Sequence, residues 1–430
     1  MPTDSANAAE GRVARSLYAL LELSNAMSSE MDLDSLLAVV VEKASTVIDA
    51  ERTSVLLCDP ESETLSSRIA QGIGGTVITL PVGVGIAGDV ARTRKLANVA
   101  DAYVDPRFSP DADRRTGFLT RSVLCAPVFT PRGRLLGVIQ SINKRSGGAF
   151  DAHDEAIIAA LASQVAFAIE RSQMTEVYVE NERLEEALQV AQDIQMRMLP
   201  RGDAAVPCPE IEVSARLRPA RMVGGDLYDF FCRDSGTFCF CIGDVAGKGV
   251  GSALVMAVAK TLFRANAAVL DDPAALMAAM NARLYEETDA TMFVTAFCGI
   301  LDLATGEIRY ANAGHNAPLI LTPSGELRTL STRPGIALGV LPRFVYQTHT
   351  LALAPGETLY LYTDGVSEAT NAAEELFSTE RIEHLARGAG GLAPDQLVAS
   401  TLAAVEEFVA GAPQHDDITL MCLRYRGRVH

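Results

Sequence analysis

The sequence predicts an α+β protein with antiparallel sheets, divided into two folded units by a helical connector. Three observations carry that expectation. Short β-prone runs bounded by turn residues recur on both sides of residue 173. Longer stretches with apolar residues three and four apart flank those runs. A third stretch, residues 173–199, keeps the same spacing but is mostly polar, as a connector would be. The architecture expected is an antiparallel sheet flanked by helices, then a helical linker, then an α-β-β-α sandwich.

At 430 residues the chain should hold two or three domains. Its formal net charge of −17 argues against nucleic acid and against an anionic membrane surface, and suits a protein that binds cations. Eight Cys are scattered without a CxxC pair or a His cluster. A structural zinc site and a disulfide framework are therefore not expected, and reduced, buried thiols are. The polar, Ala-rich start carries no signal pattern. No run of about 18 apolar residues stands out, so no membrane span is expected and a cytoplasmic location is.

In chain order, residues 12–27 read as a helix. Asp34 is a candidate cap for the next one, whose apolar face includes Leu37, Val40, Val41, Val47 and Ile48. Strand signals follow at 53–58, 65–70, 77–80, 122–129 and 135–142, the last two joined by a turn at Pro131-Arg132-Gly133. Residues 150–171 read as a long helix. The expected boundaries are a disordered N-terminus over 1–14, an α+β sensor module over 15–172, a linker over 173–200 and a second domain over 201–430. In the linker, positions 174, 177, 181, 184, 188, 191, 195 and 198 form a heptad seam with polar members Asn181 and Gln195. Either a dimeric coiled coil or a single amphipathic helix packed on the next domain satisfies it. Pro200, Gly202 and Pro207 stop the helix. Beyond it, strand signals lie at 211–217, 237–243, 293–301, 307–312, 317–322 and 357–362. Helical patterns lie at 250–269, 273–288, 379–387 and 394–410.

Several motifs in the first domain are specific. Asp113 to Ser122 precedes Leu124-Cys125-Ala126-Pro127, and Asn143-Lys144, Phe150 and Asp154-Glu155 follow. This set resembles the GAF family, in the branch found in cyclic-nucleotide phosphodiesterases and adenylyl cyclases. The resemblance implies a small-molecule ligand, with a cyclic nucleotide or some other ligand or none left open. It implies Ser54 as a base contact, and the amides of Ile86 and Ala87 at a helix start as phosphate contacts. Asp113, Thr116 and Thr120 match further ligand-side positions, and Lys144 with Asp154 matches a structural ion pair. Gln140 stands where the family has a ligand-side Glu, which leaves cAMP against cGMP open.

In the second half, acidic motifs recur at Gly224-Gly225-Asp226, Gly243-Asp244-Val245, Thr363-Asp364-Gly365 and Asp416-Asp417-Ile418. Each is read as sitting at the end of an apolar run, so that strands deliver the carboxylates to one rim. Carboxylates gathered there repel unless hard divalent ions lie between them. A two-metal hydrolytic centre follows, since such ions neutralise a phosphomonoester and activate water. No Cys nucleophile sits in a phosphate-cradling loop, which argues against covalent cysteine catalysis.

With Gln195 to Pro200, Phe293-Val294-Thr295 and Ala311 to Asn316, these motifs resemble the type-2C metal-dependent phosphatases, in the SpoIIE/RsbU-type branch. The resemblance implies two Mn²⁺ or Mg²⁺ ions and a serine/threonine phosphatase. Asp244 and Asp364 become the catalytic pair. Asp244 bridges the metals with the Val245 carbonyl beside it, Asp364 and Asp416 hold the first ion, and Asp226 supports the second. Asp417 joins this metal-side set at a position where the wider superfamily often has Asn. His315 is read as a structural turn residue, and Lys248 as a phosphate contact or a solvated side chain. The implied partner is a phosphorylated anti-sigma-factor antagonist, and the implied assembly a homodimer through the GAF and linker helices. The rival expectation is a non-catalytic GAF-based scaffold with a degenerate phosphatase domain. A cyclic-nucleotide hydrolase is disfavoured because the six His are scattered.

Overall fold

Helix α1 (Leu33–Val47) begins where a carboxylate caps it. The cap is Asp32, whose Oδ1 accepts the Ser35 N–H at 3.0 Å. This corrects the expectation of Asp34, which instead binds the Arg68 guanidinium. The computed structural model describes residues 14, 17, 18, 21, 22, 32–71, 77–201, 207–234, 236–288, 291–330 and 334–428. The tail expected over 1–14 and most of the helix expected over 12–27 lie outside them.

The chain divides into two compact units, residues 1–183 and 184–430. In the first, β1 (Ala50–Asp59), β2 (Thr64–Ala70), β3 (Thr79–Pro81), β4 (Ala97–Val99), β5 (Val123–Phe129) and β6 (Leu135–Lys144) make one antiparallel sheet in the order β3-β2-β1-β6-β5-β4. One face packs on α1 and the start of a long helix, α4 (Ala152–Met198), through Leu37, Val41, Val55, Ile139, Ile158 and Val165. The other face carries two short helices, α2 (Gly85–Thr93) and α3 (Asp111–Thr116). Lys144 and Asp154, both nearly sealed from solvent, form an ion pair.

α4 does not stop near residue 171 but runs on to Met198. One 18-residue window in it is apolar and long enough to cross a bilayer, contrary to expectation, and half of that window is buried inside the protein. Burial on the sheet accounts for its apolarity, with Ile157, Ile158, Leu161, Val165 and Ile169 in the core. Residues 173–187 are exposed throughout.

The second unit is built from two five-stranded sheets face to face. One contains β8 (Leu227–Cys232), β9 (Thr237–Val245), β10 (Val294–Asp302), β11 (Glu307–Ala313) and β14 (His349–Ala352) in the order β14-β11-β10-β9-β8. The other contains β7 (Ile211–Arg218), β12 (Leu319–Leu321), β13 (Leu327–Thr329), β15 (Thr358–Tyr362) and β16 (Ile418–Tyr425) in the order β13-β12-β15-β16-β7. Phe238, Phe240, Phe297 and Tyr310 from the first sheet meet Val213, Leu359, Leu361 and Met421 from the second. The outer face of the first sheet packs on α5 (Val250–Ala267) and α6 (Pro273–Glu287) through Met256, Phe263, Leu276 and Met280. The outer face of the second packs on α8 (Ser378–Gly388) and α9 (Pro394–Val409) through Ile382, Leu397 and Val405. This is the expected α-β-β-α sandwich. Strands β8, β13, β14 and β16 were not among the strand signals.

The cysteines depart from expectation at one place. Cys208 and Cys232 are joined as a disulfide with Cα atoms 6.5 Å apart. One precedes β7 and the other ends β8, in opposite sheets, so only the assembled sandwich brings them together. The remaining six are free, five of them buried.

Candidate metal centre and ligand cavity

Antiparallel pairing decides where the carboxylates go. β9 ends on Asp244 and Val245, and β10 sets Thr295 opposite Asp244. On the other side β8 sets Leu227 opposite Gly243, which brings Asp226 to the edge that Asp244 occupies. In the second sheet Asp364 follows β15 and opens the one-turn helix α7 (Asp364–Ser367), while Asp416 and Asp417 precede β16. The Thr363 N–H donates to the Thr419 carbonyl at 3.1 Å, tying those two ends together. The expectation that every carboxylate closes a strand is thus corrected. Asp244 and Asp364 lie at strand ends, whereas Asp226, Asp416 and Asp417 lie at strand starts. Neighbours that run in opposite directions share a rim, which places Asp226 within electrostatic reach of Asp244, and Asp244 within reach of Asp364 and Asp416.

Asp226 is 1% exposed. Its Oδ2 accepts hydrogen bonds from Thr363 Oγ1 at 2.8 Å and from Thr419 Oγ1. Burial, and then the charge of Asp244, holds Asp226 well above the ordinary carboxylate range. Burial also raises Asp244, with the charges of Asp364 and Asp416 adding to it, and pushes it up to about 7. Asp364 is raised by burial and then by Asp416. Negative groups that each disfavour the other's ionised form mark a cluster short of positive charge.

Asp417 is employed differently. Its Oδ1 accepts the Ala220 N–H at 2.8 Å, and its Oδ2 accepts the N–H groups of Gly225 at 2.6 Å and Asp226 at 3.3 Å. Its oxygens hold backbone, and two glycines let that backbone come close. A Cβ on Gly224 would lie 2.1 Å from Asp417 Oδ2, and one on Gly365 would lie 1.9 Å from the Asp417 carbonyl oxygen. The Val245 carbonyl oxygen faces the same loop, 2.8 Å from where a Cβ on Gly225 would be. Lys248 reaches Asp416 Oδ2 at 3.3 Å and donates to the His415 carbonyl.

Among the described residues no three acidic, His or Cys side chains close round a common point. The donors are all oxygen, and they sit in mutually repelling pairs. This set fits a hard divalent ion of the Mg²⁺ type, which takes one or two carboxylates and keeps much of its own water.

His315 lies behind the rim and is 5% exposed. Asn312 brackets it, accepting its N–H at 2.8 Å and donating to its carbonyl at 2.9 Å. Its Nδ1 is 3.0 Å from Thr295 Oγ1, and burial pushes the imidazole down to about 4. Asp229, three residues after Asp226, turns away from the others. It is fully buried against Arg264 Nε at 2.7 Å and Lys260 at 3.7 Å. One residue near the centre, Glu368, went unread in the sequence. Glu368 is raised by burial and then by Asp364 and Asp416. Arg221 lines a small cleft with Lys248, Gly249 and Asp416.

In the first unit a cavity of about 320 Å³ lies between the sheet and α2 and α3. Ser54, Ile86, Ala87, Asp113, Thr120 and Gln140 line it, and the Thr116 side chain lies outside the described residues. Asp113 and Thr120 are engaged with each other. The Asp113 carboxylate accepts the Thr120 N–H and Oγ1–H, both at 2.7 Å, and the Tyr103 hydroxyl at 3.2 Å. They fix the wall of the cavity. Arg52 stacks on Phe118, 3.8 Å from the ring centre.

Comparison with known proteins agrees with this fold. Residues 32–169 match the GAF domain model, and residues 234–426 match the model of Stage II sporulation protein E (SpoIIE). The chain therefore joins a GAF domain to a SpoIIE-family domain. The SiaA-PP2C domain of Pseudomonas aeruginosa superposes with a TM-score of 0.52 at 24% identity, over 57% of this chain and 98% of that domain, and so shares the fold. Protein IcfG of Synechocystis sp. is 30% identical over 267 residues, covering 55% of this chain and 41% of IcfG. A cGMP-specific 3',5'-cyclic phosphodiesterase of Drosophila erecta is 30% identical over 188 residues, covering 39% of this chain and 17% of the enzyme. The chain thus spans about two-fifths of the first relative's length and about a sixth of the second's.

Proposed function

We propose that the protein is a cytoplasmic, metal-dependent serine/threonine phosphatase governed by its GAF domain. The observation that carries this is that Asp226, Asp244, Asp364 and Asp416 lie within electrostatic reach of one another, so that burial and the neighbouring charges raise Asp226, Asp244 and Asp364 above the ordinary carboxylate range. Asp244 and Asp364 are the catalytic pair. Asp226, Asp244, Asp364, Asp416 and the Val245 carbonyl would hold two Mn²⁺ or Mg²⁺ ions, and Asp417 supports them by holding the loop that carries Asp226. Bound ions supply neutralisation of the phosphoryl group and a more acidic water. Thr363 and Thr419 orient Asp226 through hydroxyl hydrogen bonds. Lys248 tempers the charge of Asp416.

The substrate we favour is a phosphorylated anti-sigma-factor antagonist, in keeping with the SpoIIE-family match. The GAF cavity has the volume of a small-ligand site. We assign it a cyclic nucleotide, supported by likeness to enzymes named for cGMP. Dimerisation through α4 is supported by exposed apolar residues Phe167, Met174, Val177 and Leu184.

The test is hydrolysis of p-nitrophenyl phosphate with Mn²⁺ by wild type, Asp244→Ala and Asp364→Ala. Each substitution is expected to lower the rate at least about a hundredfold, the scale of losing one transition-state charge partner. Equal rates in all three reject the centre. Titration of the full chain with cAMP and with cGMP by calorimetry tests the cavity, and no heat at high micromolar nucleotide rejects that ligand.

A further inference from the structure

Gln195 sits in the last turn of α4, inside the second unit, and only 6% of it is exposed. A buried primary amide has to find partners for both ends. Both of its partners belong to one residue. Gln195 Nε2 donates to the Gly224 carbonyl at 2.7 Å, and Gln195 Oε1 accepts the Gly224 N–H at 3.1 Å. The side chain thus stands in for a neighbouring strand and grips the backbone ahead of Gly225 and Asp226.

The same loop is gripped from the other side by Asp417 Oδ2, which takes the N–H groups of Gly225 and Asp226. Gly224 has no room for a side chain between these two holds. Asp226 follows at once, its Oδ2 held by the hydroxyls of Thr363 and Thr419. The position of Asp226 is therefore set jointly by the start of β16 and by the end of α4. The earlier turns of α4, from Ile157 to Ile169, belong to the core of the GAF domain.

We propose that Gln195 is a positioning residue for the acid centre: its amide fixes the Gly224–Asp226 loop and so sets the centre's affinity for a divalent cation. This rests on the metal-centre reading above. It makes the last turn of α4 the point at which a change in that helix alters cation affinity. A hydrogen-bonded partner behind a metal ligand commonly governs affinity in this manner.

The experiment uses the full chain with Gln195→Met, which keeps the side-chain length and removes both hydrogen bonds, and with Gln195→Ala. Three quantities are measured: Mn²⁺ affinity by calorimetry and by the loss of the free-ion electron paramagnetic resonance signal, melting temperature in EDTA, and the Mn²⁺ dependence of p-nitrophenyl phosphate hydrolysis. Mn²⁺ affinity is expected to fall about tenfold in both variants, the scale seen for such supporting partners. The Gln195→Met melting temperature in EDTA should stay within about 3 °C of wild type, and excess Mn²⁺ should restore its rate. Unchanged Mn²⁺ affinity overturns the proposal, as does a rate that excess Mn²⁺ leaves low. If wild type binds Mn²⁺ and Gln195→Met binds it more weakly, yet neither hydrolyses the ester, the positioning role stands and the phosphatase reading falls. If wild type is an active Mn²⁺ enzyme and the variants match it, only the positioning role falls.

Discussion

Buried carboxylates occur in both units, and they are treated in opposite ways. In the GAF domain Asp154 is almost sealed from solvent, and Lys144 Nζ meets it while also donating to the Ile48 carbonyl at 2.9 Å. Charge there is balanced within the protein. In the SpoIIE-family unit Asp226, Asp244 and Asp364 have mainly one another for company, with Lys248 bound to Asp416 at the edge. The first arrangement serves the fold. The second opposes it, and such opposition is common where a site is shaped for something other than stability.

Substitutions in the two places should move stability in opposite directions. The largest effect is expected from Lys144→Met, which leaves the Asp154 charge buried alone and should cost about 3–5 kcal/mol in urea unfolding. A double variant with Asp154→Leu should recover much of that. If Lys144→Met is neutral, the contrast fails on the GAF side.

Asp244→Asn should do the reverse, stabilising the chelator-treated protein by on the order of 2 kcal/mol at pH 8 while abolishing hydrolysis. The sign follows from linkage. A carboxyl group whose folded pKa is raised contributes stability that is full below its unfolded value and is lost as pH rises through about 7. Metal-free wild type should therefore lose melting temperature between pH 5 and 8, and Asp244→Asn should lose less. Mn²⁺ should raise the wild-type melting point more at pH 8 than at pH 6, because binding displaces protons. Equal Mn²⁺ effects at the two pH values would break this side of the comparison.

His315 sharpens the contrast, being a buried base in the same unit. Its folded pKa is lowered to about 4, so the unfolded chain takes up a proton first as pH falls. Stability from this group is present at neutral pH and drains away between about 6.5 and 4. His315→Gln should flatten that acid limb by about 1–2 kcal/mol at pH 5, read as the difference from wild type. The smallest effect is expected from Thr120→Val in the GAF cavity wall. It removes one of the hydrogen bonds into Asp113 and should cost about 1 kcal/mol.

Much of this was legible in the sequence because it rested on local signals. The mixed α+β class and the sandwich came from periodic apolar runs, and the acidic motifs were marked by Asp beside Gly. Features set by tertiary contact were not. Asp226 and Asp416 stand at strand starts, a distinction that only the pairing of β8 with β9 and of β16 with β15 makes visible. Yet Ile418 to Tyr425 is a nearly unbroken apolar run, a signal that was available for β16. Gln195 has the spacing of a seam residue, and nothing local reveals that it turns inward to Gly224. Cys208 and Cys232 lie 24 residues apart and meet only across two sheets. Asp32 and Asp34 are equally good caps on paper, and Arg68, far along the chain, takes the second.

Helix α4 runs 47 residues without a break, and its last turn is tied to the second unit by both ends of one amide on one backbone residue. Two hydrogen bonds that share a side chain and a backbone residue are made or lost together. The helix end is thus held as a latch is, closed or open, and the Gly224–Asp226 loop has no half-gripped state to rest in.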